Sequence, residues 1–311
     1  MATLPAGSMA AQLDLCVDAA HELGEGVTWC ERKQLVYWTD IHASRLHAFA
    51  PAGGARSEWV MPERLCCLAL TSDEDVLLLG LESKLVFFNL RTQAMVPICD
   101  IELDLPTTRL NDGRLDRQGR FVFGTLNEEP ARAPIGRYYR LNHDLTVEEL
   151  PLPHVAISNS TCFSADGQSM YFCDTMQGVI HRWDGYASGD ASAEQFKVFV
   201  DLSADSAGPD GAIIDADGYL WSAQWGGARV VRYAPDGSVE RVLHLPVSQP
   251  SCPCLGGPQG HDLFVTTAYE HMTPEQRAKE PLAGGLFHTH IEDVRALPEV
   301  RFGATLPAAV Q

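Results

Sequence analysis

The sequence lacks what a membrane protein needs. No run of about 20 apolar residues occurs anywhere in its 311 residues, so no segment reads as a spanning helix. Basic residues are scarce: 23 Lys and Arg stand against 41 Asp and Glu, for a formal net charge of −18. A field of that sign repels phosphate backbones and anionic lipid, which excludes nucleic acid and membrane surfaces as expected partners. The opening MATLPAGSMAAQLDL has neither a basic start nor a long apolar stretch. The expectation is therefore no signal peptide and a cytoplasmic protein. The nine cysteines are odd in number, with Cys66 and Cys67 adjacent and Cys252-Pro253-Cys254 too tight for an ordinary disulfide framework. None has zinc-ribbon or zinc-finger spacing, so free thiols in a reducing compartment are expected. There is no G-x-S-x-G nucleophile elbow, no Walker motif and no G-x-G-x-x-G after a strand. Helical patterning is nearly absent too. One short helix is expected at TPEQRAKE, where Thr273 can cap and Pro274 suits the first helical position.

What the chain does have is short apolar, β-rich runs: LVYWTD, VLLLGL, RFVFGT, MYFCDT, YLWSAQ and LFVTTA. They recur at intervals of roughly 40–50 residues, the range of propeller blades. A turn precedes each run, as at Asp166-Gly167 and Asp217-Gly218, and a second alternating stretch such as GVIHRW or ARVVRY follows most of them. Each unit then reads as an antiparallel meander of about four strands, and six units are present. One such sheet cannot bury both faces, whereas six stacked radially can. The fold expected is all-β, a six-bladed β-propeller around a central channel. It forms one domain over residues 1–311, with residues 1–11 as a flexible extension and Gln12–Val17 as an outer strand closing the last blade. A β-sandwich fits less well, because its strands recur without a longer period. The Ser/Ala/Gly-rich insert Gly185–Glu194 has no assignable role in this reading.

Aligning the units on their turns exposes a polar register. Eight positions before Lys33, Gly119, Gly167 and Gly218 stand Glu25, Asn111, Asn159 and Asp210. Each of these lies just before what reads as an innermost strand, so four oxygen-bearing side chains should converge at one end of the channel. Asn or Asp before Gly is ordinary turn chemistry when taken singly. Four in one register point instead to a site for a hard divalent cation. The other two units put Cys66 and Cys252 at the same level, where they either pack the wall or favour a softer ion.

The ordered segments LGEGVTW, RLNDGRLDRQGRFVFGT, ISNSTCFSADGQSMYFCDT, GPDGAIIDADGYLWSAQWGG, SCPCLGG and PLAGGLF run nearly from end to end of the chain. Together they resemble the SMP-30/gluconolactonase/regucalcin family of sugar-lactone hydrolases. The resemblance implies a six-bladed propeller holding one divalent metal ion, with Ca²⁺, Zn²⁺, Mg²⁺, Mn²⁺ and Fe²⁺ all open. By position, Glu25, Asn159 and Asp210 match the family's metal ligands, and Arg109, Asn111 and Glu129 match its substrate contacts. Asn127 departs from the family, which often has a small residue there. His288-Thr289-His290 follows PLAGGLF and reads as surface or packing histidines rather than metal ligands. His42 and His47 have no partners evident in the sequence.

The function implied is metal-dependent hydrolysis of a sugar lactone, a pentonolactone such as arabinono- or xylonolactone, or gluconolactone, to the aldonic acid. A lactone needs an electrophile at its carbonyl and a base for water. Asp210 is the candidate base, while Arg109, Asn111 and Glu129 would hold the polyol. An alternative role for Asp210, holding the cation while water on that cation attacks, stays open. So do two other functions: a cation-binding scaffold without turnover, and a promiscuous esterase or phosphotriesterase. The partner expected is a small sugar lactone, and the protein is expected to be a monomer or weak oligomer.

Overall fold

A computed structural model describes residues 13–311. Residues 1–11, read as an extension, and Gln12 lie outside the described residues. The rest forms six four-stranded antiparallel sheets arranged as the blades of a propeller, as the repeat predicts. Five blades use four consecutive strands each. The sixth takes three strands from Pro250–Gly256, Asp262–Thr267 and Leu286–His290, and its outer strand, Asp14–Val17, from the other end of the chain. Asp14 lies opposite His288, Leu15 opposite Phe287 and Val17 opposite Leu286. The ring therefore closes by pairing early chain with late chain, which completes the sixth blade to the same four strands as the other five.

The six apolar runs are the second strands of their blades, one layer further out than the sequence suggests. They comprise Leu35–Asp40, Val76–Leu81, Phe121–Asn127, Met170–Asp174, Leu220–Trp225 and Asp262–Thr267. They read as unbroken apolar runs because blades cover both of their faces: Val76 to Leu81 and Phe121 to Asn127 are buried throughout. The innermost strands are those that carry the polar register: Gly24–Cys30, Leu65–Leu70, Thr108–Leu115, Ser158–Phe163, Gly208–Ile214 and Pro250–Gly256.

At one end of the ring, tight turns join first to second strands. Gly119, Gly167 and Gly218 take φ of 79°, 71° and 83° there, a left-handed conformation that glycine adopts without strain. The segment from residue 291 onward crosses this end. Ala296 N donates to Gly260 O at 2.7 Å, Phe302 N to Leu70 O at 2.8 Å and Gly303 N to Gly119 O at 3.1 Å. It is thus tied to turns of the sixth, second and third blades. At the opposite end, the mouth, the innermost strands begin and loops leave the second strands.

The helix Pro274–Lys279 sits in the longest of these loops. It has a reciprocal capping box between Thr273 and Gln276. The insert Gly185–Glu194 gains a structural role: Tyr186 is buried, and its hydroxyl donates to Asp116 of the neighbouring blade at 2.6 Å. His288 and His290 both hydrogen-bond Asp262 Oδ1 at 3.0 Å. Among the described residues no three His, Cys, Asp or Glu side chains gather as a metal site. No helix is long and apolar enough to cross a membrane.

His47 is packed between Trp38, with ring centroids 5.3 Å apart, and His21, at 4.4 Å. Burial, and then the nearby His21, push its pKa down from 6.5 to about 4. The protonated form is disfavoured in the folded state. Its stabilising contribution is therefore complete above pH 6.5 and is lost as pH falls through 4. His47→Phe should gain about 1–3 kcal/mol relative to the parent between pH 7 and pH 4. Urea denaturation of both proteins across that range checks this; parallel pH curves would contradict it.

Candidate functional site at the channel mouth

Every innermost strand breaks its ladder near the mouth. The register with the second strand shifts between Glu25 and Thr28, Leu65 and Cys67, Leu110 and Gly113, Asn159 and Cys162, Pro209 and Ala212, and Pro250 and Pro253. Such bulges bend a strand and re-aim its side chains. The polar residues thus stand inside the innermost strands, at the bulges, and not before the strands. Two backbone features permit this geometry. Gly26, directly after Glu25, has φ of 61°. At Gly211 a Cβ would stand 2.8 Å from both Ser251 O and Cys252 Sγ, so only glycine lets the fifth blade approach the sixth this closely beside Asp210.

Arg109, Asn111 and Asn159 are linked by one relay of hydrogen bonds that ends on the backbone beside Asp210. Arg109 Nη1 donates to Asn111 Oδ1 at 2.9 Å. Asn111 Nδ2 donates to Asn159 Oδ1 at 3.0 Å and to Ser158 O at 2.8 Å. Asn159 Nδ2 donates to Thr175 Oγ1 at 2.8 Å, and Thr175 Oγ1 donates to Pro209 O, also at 2.8 Å. Ser160 Oγ fixes the backbone of Asp210 itself, donating to its carbonyl at 2.7 Å. Side chains from the third and fourth blades are thereby locked to the backbone of the fifth.

Glu129 does not join this relay: its side chain is exposed, and its amide donates to Asn127 Oδ1 at 3.2 Å. The neighbouring Glu128 takes the inward place, accepting from Arg109 Nε at 3.3 Å. Arg64 holds Glu128 with two bonds of 2.7 and 2.6 Å and grips Glu82 with its remaining donors. Such paired guanidinium–carboxylate contacts fix orientation as well as charge. Asn127 is buried and organises the loop, donating to Ala133 O and accepting from the Glu129 amide.

The carboxylates on the other side of the mouth have no comparable partners. Among the described residues, no side-chain donor lies within hydrogen-bond distance of Glu25 or Asp210; Glu25 accepts only from the amide of Gly26, at 3.0 Å. Burial, and then the charge of Asp112, push the pKa of Glu25 up to about 8. Burial, then the charges of Glu25 and Asp112, push Asp210 well above the usual carboxylate range. Asp112 is raised as well, chiefly by burial, although it accepts from Thr161 N at 2.7 Å. Asp112 escaped the sequence reading because strand alternation turns it away from Asn111. The bulge sets both residues opposite the single Gly124 of the second strand, which breaks that alternation. Cys66 lies at the site, its Sγ 3.9 Å from Arg109 Nη1, while Cys252 Sγ lies 4.0 Å from Arg114 Nη2; both thiols are buried.

Fold and site together define a six-bladed propeller whose channel mouth pairs an ordered amide-and-guanidinium wall with unpartnered carboxylates. Residues 23–269 match the model of the SMP-30/gluconolactonase/LRE-like region. The chain is 48% identical to an L-arabinolactonase of Azospirillum brasilense over 280 residues, covering 89% of this chain and 91% of that one. It is 31% identical to a pentonolactonase of Haloferax volcanii, covering 81% and 84% of the two chains. Among solved structures, it is similar to the calcium-binding protein regucalcin of Agrobacterium tumefaciens, with a TM-score of 0.86, 29% identity and coverage of 94% and 98%. The chain belongs to the SMP-30/gluconolactonase/regucalcin family.

The relay makes a stability prediction of its own. Thr175→Val keeps the shape but orphans Asn159 Nδ2 and leaves the Pro209 carbonyl only the weak Cys173 thiol donor at 3.7 Å, which should cost about 1–3 kcal/mol. Thr175→Ser should recover most of that loss. Equal urea midpoints for Thr175→Val and the parent would show that the relay is not holding the fifth blade.

Proposed function

We propose that the protein hydrolyses a sugar lactone, with a pentonolactone such as arabinonolactone as the first candidate and xylono- and gluconolactone next, to the aldonic acid. The observation that carries this reading is the pairing, at one mouth, of a buried Asp210 and a part-buried Glu25, neither with a cationic partner, and a wall of oriented donors and acceptors. The 48% identity to an L-arabinolactonase and the 31% identity to a pentonolactonase support the same substrate class.

The donor set fits a divalent cation. Glu25 and Asp210 repel each other, and Arg109, the guanidinium that acts on Glu25, is already engaged by Glu128 and Asn111. Glu25, Asp210 and the amide oxygen of Asn159 would hold the ion. All three are hard oxygen donors, which suits Ca²⁺, Mg²⁺ or Mn²⁺ and leaves Zn²⁺ and Fe²⁺ within range. A cation bound there supplies Lewis acidity toward the lactone carbonyl and balances charge developing on its oxygen.

The residues supply the remaining chemistry. Asp210 accepts a proton from the attacking water at a carboxylate oxygen as the water oxygen bonds to the carbonyl carbon. The ring C–O bond then breaks, and the ring oxygen takes up that proton and becomes the hydroxyl newly freed in the aldonic acid. Arg109 and Asn111, already immobilised, pair with sugar hydroxyls at little cost in ordering. Glu129 stays a candidate polyol contact that must turn inward to serve; Glu128 stands nearer. A site with this many fixed polar groups rejects simple aliphatic lactones, which leave those groups unpaired. The reading places the protein in the cytoplasm, consistent with nine unpaired cysteines.

Proton release from a panel of pentono- and hexonolactones tests the proposal, with spontaneous hydrolysis subtracted. Turnover should be lost with chelator, return with one added divalent ion, and fall at least about 100-fold in Asp210→Asn. Tight binding of one ion with no turnover on any lactone would favour a cation-binding propeller, the reading suggested by the likeness to a calcium-binding regucalcin.

A further inference from the structure

A second pair of side chains stands at the mouth, on the side away from Arg64 and Glu128. His42 lies on the loop leaving Leu35–Asp40 of the first blade, and Glu270 on the loop leaving Asp262–Thr267 of the sixth. Their side chains meet across 228 positions of sequence, with His42 Nε2 2.6 Å from Glu270 Oε1. The loops are anchored on both sides. Ile41 N donates to Leu23 O at 2.9 Å, Tyr269 N to Glu22 O at 3.1 Å, and Gln249 Nε2 to Glu270 O at 3.0 Å. Both side chains are mostly buried, at 24% and 18% exposure, yet neither packs in the core.

This pair borders the site described above. The residues that anchor its two loops, Glu22 and Leu23, directly precede the strand Gly24–Cys30 that carries Glu25, and Leu23 also bridges to Ala268, directly after the strand Asp262–Thr267. A carboxylate only accepts, so the proton in the short contact belongs to His42 Nε2. In the tautomer that this bond selects, Nδ1 is the acceptor, and it has no hydrogen-bond partner among the described residues. The relay of the third to fifth blades offers donors and acceptors on one side of a bound ring. Without His42 the first-to-sixth-blade side offers mainly carboxylates.

We infer that His42, oriented by Glu270, is a specificity-determining residue that accepts a hydrogen bond from a hydroxyl of the sugar lactone through Nδ1. The inference rests on the lactonase reading. It assigns His42 to recognition of the polyol, with the bond-breaking steps left to the groups around Asp210. Its signature is therefore a change in KM and in discrimination among hydroxyl patterns, with kcat nearly untouched.

The test uses the full-length, metal-loaded protein with L-arabinono-1,4-lactone and its singly deoxygenated analogues. His42→Ala should raise KM for the parent lactone about tenfold or more and leave kcat within about threefold. One deoxy analogue, lacking the contacted hydroxyl, should show no further loss in the variant. His42→Gln, whose amide can donate to Glu270 and still offer an acceptor, should recover part of the affinity. An unchanged KM, or an equal loss on every analogue, would overturn the assignment. Calorimetric binding of arabinonate to parent and His42→Ala separates this claim from the lactonase reading. If the parent hydrolyses no lactone, the proposed function fails. Arabinonate binding that weakens about tenfold in the variant would still support His42; equal binding, or none by the parent, would overturn it.

Discussion

The ladder break in each innermost strand is the constraint on which the site depends. In five blades two residues of the innermost strand face one of the second strand: Gly26 and Val27 opposite Trp38, and Asp210 and Gly211 opposite Ala223, for example. A regular strand would send every other side chain into the inter-blade core. The bulge allows neighbours such as Asn111 and Asp112 both to make polar contacts, one with Asn159 and the other with Thr161. Because the blades repeat, the bulges repeat, and polar groups far apart in sequence meet at one level.

That convergence produces an uneven electrostatic field. One side of the mouth is fully paired, along Glu82, Arg64, Glu128, Arg109, Asn111, Asn159 and Thr175. The other gathers Glu25, Asp112 and Asp210 in a chain whose net charge is already −18. Clustered carboxylates raise one another's proton affinity unless a cation intervenes. The paired side is held by its own hydrogen bonds, while Glu25 and Asp210 have no side-chain donor to offset their charge. An ordered, hydrogen-bonded wall and a group of unpaired carboxylates are thus separated within one mouth.

Much of this was legible in the sequence, for physical reasons. The turns at Gly119, Gly167 and Gly218 demand a left-handed residue, which marks the blade repeat and allows Asn111, Asn159 and Asp210 to be aligned. The apolar runs were read one layer too far inward, because burial on two faces looks the same in the first and second strands of a blade. Closure by Asp14–Val17 was legible because that strand had no other unit to join. Glu128, Arg64, His42 and Glu270 were not legible as site residues. They lie on loops without periodicity, and their contacts span 64 residues from Arg64 to Glu128 and 228 from His42 to Glu270. The choice between Glu128 and Glu129 rests on Asn127, whose side chain takes the Glu129 amide and so sets the path of the loop.

The most direct measurement is calorimetric titration of chelator-treated protein with Ca²⁺, Mn²⁺ and Zn²⁺ in turn, paired with thermal unfolding of each loaded form. The account predicts one site per chain for at least one of these ions. It also predicts a Tm that rises with ion concentration in the parent and barely moves in Glu25→Gln or Asp210→Asn. No binding by the parent, or undiminished binding by both variants, would contradict the claim that the bulged strands build a cation site from Glu25, Asn159 and Asp210.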